Sequence, residues 1–239
     1  MQDNPLIIAL DFKGMDEVEK FIEPFAGQNL FVKAGMELFY KEGPNTVYRL
    51  KELGHRVFLD LKLHDIPNTV MSAMRSLASL GCDLVTVHAA GGRAMMEAAM
   101  EGLEAGTPSG QRRPQCVAVT QLTSTEEANM QAEQLIPVSL EQSVYHYAAL
   151  AKQSGLDGVV CSALEAGGIM ERLGSEFLTV TPGIRMGMDD RQDQKRVATP
   201  EMARQLGIYA IVVGRPIIRA ANPVDAYADW LKAWEGEVK

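Results

Sequence analysis

The segment DLKLHDIPNT, residues 60–69, places a carboxylate, an ammonium and a second carboxylate within six positions. These charged residues, Asp60, Lys62 and Asp65, follow the apolar run Val57-Phe58-Leu59, which is typical of a buried strand. Because side chains alternate between the two faces of a strand, Asp60 and Lys62 share a face and stand about 6.5 Å apart along it. A fixed ammonium beside a carboxylate can stabilise developing negative charge or donate a proton. The alternative is a salt-bridge network that closes one end of the fold.

Asp65 has a different relation to this strand. It follows both Asp60 and Lys62 by an odd number of residues, so strand geometry cannot bring it to their face. Its side chain must turn back into the site, cap a helix that begins near Pro67, or project towards another molecule. The residues alone leave these three alternatives open.

The elements that must position these residues alternate along the whole chain. Apolar, β-branched runs are separated by stretches with helical spacing, and Thr199-Pro200-Glu201 supplies the N-cap, first-turn proline and acid of a helix start. The predicted strands are 6–10, 30–32, 57–59, 84–87, 116–119, 158–161, 177–180 and 209–213. Eight strand–helix units in 239 residues predict an α/β fold, a (β/α)8 TIM barrel forming a single domain over residues 1–239, rather than an open doubly wound sheet.

Polar and charged residues follow the predicted strands at the end where a TIM barrel carries its active site. They are Asp11, Lys33, Asp60, Lys62, His88, Thr123, Arg185 and Arg215, the last of which is preceded by Gly214. Opposite charges are therefore expected to converge on one mouth of the barrel.

The segment VVGRPIIRAANP, which ends the eighth predicted strand at Gly214 and Arg215, indicates a phosphate site. A glycine lets the backbone approach a ligand, amide groups of the following short helix can hold phosphate oxygens, and an arginine adds a bidentate charged donor. The polar segment 183–198, which contains Arg185, follows strand seven and is long for a βα loop. We expect it to be a lid that closes over a ligand, the alternative being a surface insertion.

Composition excludes several other classes of function. A formal net charge of -8 and a pI near 5.1 argue against a broad nucleic-acid or anionic-membrane surface. The chain shows no signal-peptide pattern and no apolar run near the about 20 residues of a membrane span, so we expect a cytoplasmic location. Cys82, Cys116 and Cys161 lack C-x-x-C spacing and are predicted to be buried. The histidine spacing fits no metal site, so no metal is expected.

The segment DLKLHDIPNT matches the D-x-K-x-x-D-I-x-x-T signature of the orotidine 5′-monophosphate decarboxylases, and the chain resembles that family over essentially its whole length. Further matches are ALD ending at Asp11, FVKAG around Lys33, VTVHAAGG, TPGIR at 181–185 and VVGRPI at 212–217. The resemblance implies a cofactor-independent enzyme that decarboxylates orotidine 5′-monophosphate to uridine 5′-monophosphate in de novo pyrimidine biosynthesis. It also implies a homodimer with shared active sites.

The resemblance further implies roles for individual residues. Lys62 would protonate the pyrimidine carbon that loses carbon dioxide, within an alternating array of Lys33, Asp60, Lys62 and Asp65. Asp65 and the adjacent Ile66 would reach into the partner subunit's site. The other substrate-binding residues that the resemblance implies are Asp11 and Lys33 at the ribose, Gly214 and Arg215 at the phosphate, Arg185 and Gln194 in the closing loop, and Thr69 and Thr123 as further ligand contacts.

Two other functions remain to be weighed against this one. A 3-keto-gulonate-6-phosphate decarboxylase shares the barrel and the D-x-K-x-x-D core but uses magnesium, and it carries a metal-binding glutamate where this chain has Lys33. A barrel that binds a nucleotide without catalysis would show undiminished ligand binding and no turnover. Lysine at position 33 speaks against the magnesium-dependent decarboxylase. Nothing in the sequence favours the non-catalytic barrel, because the complete charge array is present.

Overall fold

The computed structural model describes residues 4–187 and 198–236. Its strands are β1 (Leu6–Ala9), β2 (Phe31–Gly35), β3 (Arg56–Leu63), β4 (Leu84–His88), β5 (Gln115–Val119), β6 (Gly158–Val160), β7 (Leu178–Pro182) and β8 (Ala210–Val213). All eight are parallel and pair in chain order, and β8 closes the barrel against β1. The predicted (β/α)8 barrel is confirmed.

Helices surround the barrel and connect its strands. They are α1 (Met15–Ile22), α2 (Met36–Glu42), α3 (Asn45–Glu52), α4 (Pro67–Ala78), α5 (Gly92–Gly106), α6 (Glu127–Glu133), α7 (Leu140–Gln153), α8 (Ala163–Leu173), α9 (Pro200–Gln205), α10 (Arg215–Ile218) and α11 (Pro223–Glu235), with short 3-10 helices at Glu23–Phe25 and Ala89–Gly91. The predicted start of α9 is confirmed, because the Thr199 hydroxyl accepts the Met202 N–H at 3.3 Å. Within residues 4–187 and 198–236, no helix has the length and apolar character needed to cross a membrane.

Alternation along each strand divides the core into two layers. The layer inside the barrel consists of Ile7, Ala9, Phe31, Phe58, Leu84, Val117, Val180, Ala210 and Val212. The layer between strands and helices is larger and takes the intervening strand residues, such as Val85 and Val87 of β4. Positions two and four after Leu84 therefore face the barrel interior, so β4 carries Thr86 and His88 towards its mouth.

Strands β2 and β3 extend further than their apolar runs predicted. The ladder pairs Gly35 with Asp60 and Leu63 with Val87, so backbone hydrogen bonds to neighbouring strands keep the charged tips within the sheet. The predicted ends at residues 32 and 59 are therefore wrong. An apolar run ends at its first charge, whereas a strand ends where its ladder ends.

Ion pairs fix the starts of the strands at the opposite end of the barrel. Asp83, just before β4, accepts the Val57 N–H at 2.7 Å and pairs with Lys51 at 2.8 Å. Asp157, just before β6, likewise accepts the Cys116 N–H at 2.7 Å. These carboxylates stabilise the barrel far from the mouth where the functional residues lie.

Helices α4 and α5 pack with their backbones in close approach beside β3 and β4. A Cβ atom added at Gly102 of α5 would lie 2.2 Å from the Met71 carbonyl oxygen of α4, so only glycine fits there. This contact fixes the helices that follow β3, which carries Asp60 and Lys62, and β4, which carries Thr86 and His88.

Candidate active site

A cluster of lysines and aspartates occupies the mouth of the barrel at the ends of β1, β2 and β3. Asp60 is 7% exposed and lies at its centre. Its Oδ2 atom is 2.8 Å from Lys62 Nζ and 3.7 Å from Lys33 Nζ. Lys33 Nζ is in turn 3.6 Å from Asp11 Oδ1. The attraction is strongest around Asp60, where burial has removed much of the water that would screen the charges; the exposed Asp11 contact is screened more.

The backbone of β3 is distorted where it presents Lys62. Lys62 has a φ of 53°, in the left-handed region that residues with a Cβ rarely adopt. The ladder with β4 shifts register between Leu59 and Leu63, as at a β-bulge, a device that re-aims a side chain beside a functional site. Such a conformation costs about 1–3 kcal/mol and persists only where the surrounding structure imposes it.

A hydroxyl of β4 joins the backbone and the carboxylate of this cluster. Thr86 Oγ1 accepts the Lys62 N–H at 2.8 Å and donates its own proton to Asp60 Oδ1 at 3.0 Å. Thr86 is 1% exposed. Thr86 was not among the predicted site residues, because a threonine inside a strand is an ordinary β-former.

The cluster forms one wall of a cavity of about 280 Å³ at the barrel mouth. The predicted site residues that line it are Asp11, Lys33, Asp60, Lys62, Thr123, Arg185, Gly214 and Arg215. Its apolar wall includes Phe58, Val119, Val160, Val180 and Val212. A cavity lined by both charged and apolar side chains suits a ligand that combines an apolar portion with anionic groups.

Gln121 also lines this cavity and was not predicted. Its Nε2 group donates to Gln134 Oε1 and to Ser143 Oγ, each at 3.1 Å, so the amide is held by α7 and the end of α6. A glutamine after β5 carries no distinctive spacing, and only the neighbouring Thr123 was predicted as a site residue.

Gly214 and Arg215 lie at the end of β8, next to Asp11 of β1. A Cβ atom at Gly214 would stand 3.2 Å from Asp11 Oδ2 and 3.4 Å from the Ala9 Cβ. A larger residue would therefore crowd the carboxylate that contacts Lys33. The absence of a side chain leaves the backbone open to a ligand beside the Arg215 guanidinium.

Arg185 follows β7 and is 7% exposed. Its Nη1 donates to the Ile184 carbonyl at 2.8 Å, and its backbone N–H donates to the Ala198 carbonyl at 2.9 Å. Ile184 and Ala198 form an isolated bridge, so the two ends of segment 183–198 are held together. Gln194 and most of the predicted lid lie outside the described residues.

Asp65, Ile66 and Thr69 do not line the cavity of their own chain. All three are exposed, Ile66 to 67%. Asp65 Oδ1 accepts the Ile66 N–H at 2.7 Å, and α4 begins at Pro67 without a side-chain cap among the described residues. Two of the three alternatives for Asp65, a return into its own site and a helix cap, are thereby excluded.

His88 lies beside the cluster, with its ring centroid 5.7 Å from that of His64. Burial lowers the pKa of His88, and the nearby His64 and Lys62 lower it further, against an opposing contribution from Asp60. The imidazole is therefore neutral at pH 7 and adds no positive charge to the cluster.

A larger cavity, of about 630 Å³, lies between α1 and α3 and is lined by Arg49, Leu53 and His55 among others. It contains none of the residues at the carboxyl ends of the strands. Volume alone therefore does not identify the site, and the charged mouth of the barrel does.

A closed (β/α)8 barrel with a lysine–aspartate cluster around a buried aspartate, and with two arginines at its carboxyl face, defines a barrel enzyme for an anionic ligand. Comparison with known proteins makes this class specific. The model of the orotidine 5′-phosphate decarboxylase / HUMPS family matches residues 4–230. Orotidine 5′-phosphate decarboxylase of Bacillus cereus (strain B4264) is 63% identical over 231 residues, covering 97% of each chain.

Two further relatives agree. Orotidine 5′-phosphate decarboxylase of Bacillus caldolyticus is 63% identical over 232 residues, covering 97% of this chain and 95% of the relative. The crystal structure of orotidine 5′-phosphate decarboxylase from Lactobacillus acidophilus is 44% identical, with a TM-score of 0.88 over 98% of this chain and 100% of that one. The chain belongs to the orotidine 5′-phosphate decarboxylase / HUMPS family, as its signature segment predicted.

Proposed function

We propose that this protein decarboxylates orotidine 5′-monophosphate to uridine 5′-monophosphate in pyrimidine biosynthesis, without a cofactor and with Lys62 as the proton donor. Relatives at 63% identity over 97% of the chain carry the name of this activity. The single structural observation that supports the role of Lys62 is its ammonium at 2.8 Å from the buried Asp60 carboxylate, on the wall of the cavity.

The chemistry explains why such a group is needed. When the bond to the carboxylate breaks, carbon dioxide leaves and the electron pair stays on the ring carbon. Lys62 donates a proton to that carbon, and water later returns one to the lysine. A fixed ammonium stabilises the developing charge more in the transition state than in the substrate, which is the condition for lowering the barrier.

The remaining residues of the mouth would bind the rest of the nucleotide. Asp11 and Lys33, which contact each other at 3.6 Å, would hold the ribose. Gly214 and Arg215, which both line the cavity, would hold the phosphate. In addition, we assign Thr123 to a ligand contact and Arg185 and Gln194 to the loop that closes over the ligand. Binding energy from the remote phosphate can then order the charge array.

We further propose a homodimer in which Asp65 and Ile66 of one copy complete the site of the other, with Thr69 as a further ligand contact. Their exposure, and the 67% exposure of the apolar Ile66 in particular, support this role. An exposed apolar side chain next to a carboxylate at the barrel mouth suits a contact with a second copy.

Mixing two inactive variants tests the shared site. In a heterodimer of Lys62→Ala and Asp65→Ala chains, one site has lost both groups and the other has both. Random exchange of subunits should therefore restore about one quarter of wild-type sites. Sedimentation should show a dimer. An active monomer, or a mixture as inactive as its components, would contradict the proposal.

We also infer a cytoplasmic location. Cys82, Cys116 and Cys161 are buried thiols, and burial raises the pKa of Cys82 to about 12. Unreactive thiols rather than a disulfide framework are usual where the surroundings are reducing.

A further inference from the structure

Thr86 is a polar residue that faces the barrel interior, next to the apolar inner layer. Leu84, two residues earlier on the same face, belongs to the inner core, whereas Thr86 is 1% exposed and carries a hydroxyl. Burying a hydroxyl is unfavourable unless its hydrogen bonds are made. The partners of this hydroxyl therefore indicate what it does.

Both partners belong to the charge cluster. A hydroxyl has one proton to donate. Since Thr86 Oγ1 accepts the Lys62 N–H at 2.8 Å, its proton points to Asp60 Oδ1 at 3.0 Å. This leaves Asp60 Oδ2 for Lys62 Nζ, at 2.8 Å. One oxygen of the carboxylate is thus held by β4 and the other by the ammonium.

The backbone contact lies at the distorted residue. The register of β3 against β4 shifts between Leu59 and Leu63, so the Lys62 N–H is accepted by a side chain instead of continuing a regular ladder. The φ of Lys62 is 53°, a conformation that the surroundings must impose. The Thr86 hydroxyl is placed to do so.

We propose that Thr86 is a positioning residue for proton donation, and that its hydroxyl holds the strained backbone of Lys62 and the carboxylate of Asp60 in the arrangement that aims the ammonium into the cavity. The proposal rests on the proposed role of Lys62. A shift of the ammonium by about 1 Å is expected to slow the chemical step by about 100-fold, while the distant phosphate contacts keep nucleotide binding unchanged.

Thr86→Val removes the hydroxyl at nearly constant volume, and Thr86→Ser restores it without the methyl group. Thr179→Val is the matched control. Thr179 is also 1% exposed, and its hydroxyl accepts the Tyr209 N–H at 3.3 Å. It faces away from the barrel interior, since its neighbour Val180 belongs to the inner layer.

For each variant we would measure kcat and KM with orotidine 5′-monophosphate, Kd for uridine 5′-monophosphate, and the free energy of unfolding. We expect Thr86→Val to lower kcat about 100-fold with Kd changed by less than about 3-fold. Thr86→Ser should recover most of the lost kcat. Thr179→Val should lose stability and keep its kcat.

Two results would overturn the proposal. One is a kcat for Thr86→Val no lower than that of Thr179→Val, and the other is a kcat for Thr86→Ser as low as that of Thr86→Val. If Thr86→Val does not fold, Thr86→Cys, with a thiol that is a weak donor and acceptor, is subject to the same comparison. Lys62→Ala assayed alongside separates the two proposals: turnover retained there removes the role of Lys62, whereas turnover lost there but kept in Thr86→Val removes only Thr86.

Discussion

Replacing Asp60 by asparagine removes the charge at the centre of the cluster while keeping its shape. If the amide oxygen accepts from the Lys62 ammonium, the NH2 group can only donate to Thr86 Oγ1, so the Thr86 proton loses the acceptor that Asp60 Oδ1 provides; the reverse orientation sets NH2 against NH3⁺. Asp60 Oδ2 is 2.8 Å from Lys62 Nζ but 3.7 Å from Lys33 Nζ. Lys33 also keeps its contact with Asp11, so the contact with Lys62 dominates the loss.

One hydrogen bond to a charged group contributes about 1.5–3 kcal/mol. We therefore expect the free energy of unfolding of Asp60→Asn to fall by about that amount. If the contact also aims the ammonium of Lys62, the same energy corresponds to a fall in kcat of about 10- to 160-fold. Steady-state kinetics with orotidine 5′-monophosphate and urea denaturation measure the two effects separately.

Asp83→Asn is the matched control for this variant. Asp83 has a lysine contact of the same length, 2.8 Å to Lys51 Nζ, at the opposite end of the barrel. We expect it to lose stability and to keep kcat. If Asp60→Asn kept wild-type kcat while losing as much stability as Asp83→Asn, the carboxylate would be structural and the reasoning about the array would fail.

Three further predictions concern other parts of the chain. Arg215→Ala should weaken uridine 5′-monophosphate binding by about 10- to 160-fold, the equivalent of one charged hydrogen bond, and calorimetry should show uridine binding unchanged. An equal loss of affinity for both ligands would contradict a phosphate contact. The control is Arg219→Ala, at an exposed position. Burial lowers the pKa of His55. Below a pH of about 6.5, this imidazole therefore binds a proton in the unfolded chain more readily than in the folded chain. The free energy of unfolding should therefore decrease as the pH is lowered below that value, and it should decrease less steeply in His55→Asn. Equal slopes of unfolding free energy against pH in the two proteins would refute this. Gly102→Ala should destabilise the protein by more than about 2 kcal/mol, because its Cβ would meet the Met71 carbonyl at 2.2 Å; an unchanged denaturation midpoint would show that α4 and α5 can separate.

The fold could be predicted from the sequence because each strand contains an apolar run, and polar or charged residues follow most of these runs. In parallel strands of a barrel these ends meet at one face. The sequence pattern therefore predicts that Asp11, Lys33, Asp60 and Lys62 lie together, and the cluster at the mouth contains all four.

The distortion of β3 could not be predicted in the same way. Whether Lys62 adopts a left-handed conformation depends on the register between β3 and β4, which no local pattern encodes. Thr86 was missed for the same reason. A threonine inside a strand is an ordinary β-former, and only the shifted register brings its hydroxyl to the Lys62 N–H and the Asp60 carboxylate.

Asp65 illustrates a partial success. Its odd spacing from Lys62 correctly separated it from the strand face, and the structure places it outside the cavity of its own chain. The sequence could not decide whether Asp65 caps a helix or projects towards another molecule, because that depends on the position of α4. The start of α4 at Pro67 has no side-chain cap among the residues described.

The most direct test of the central claim is carbon dioxide release from orotidine 5′-monophosphate by chelator-treated protein, with Lys62→Ala measured beside it. We predict turnover by the wild type, none detectable by Lys62→Ala, and retained binding of uridine 5′-monophosphate by both. Turnover lost on chelation and restored by magnesium would contradict cofactor independence. Substantial turnover by Lys62→Ala would contradict its assignment as the proton donor.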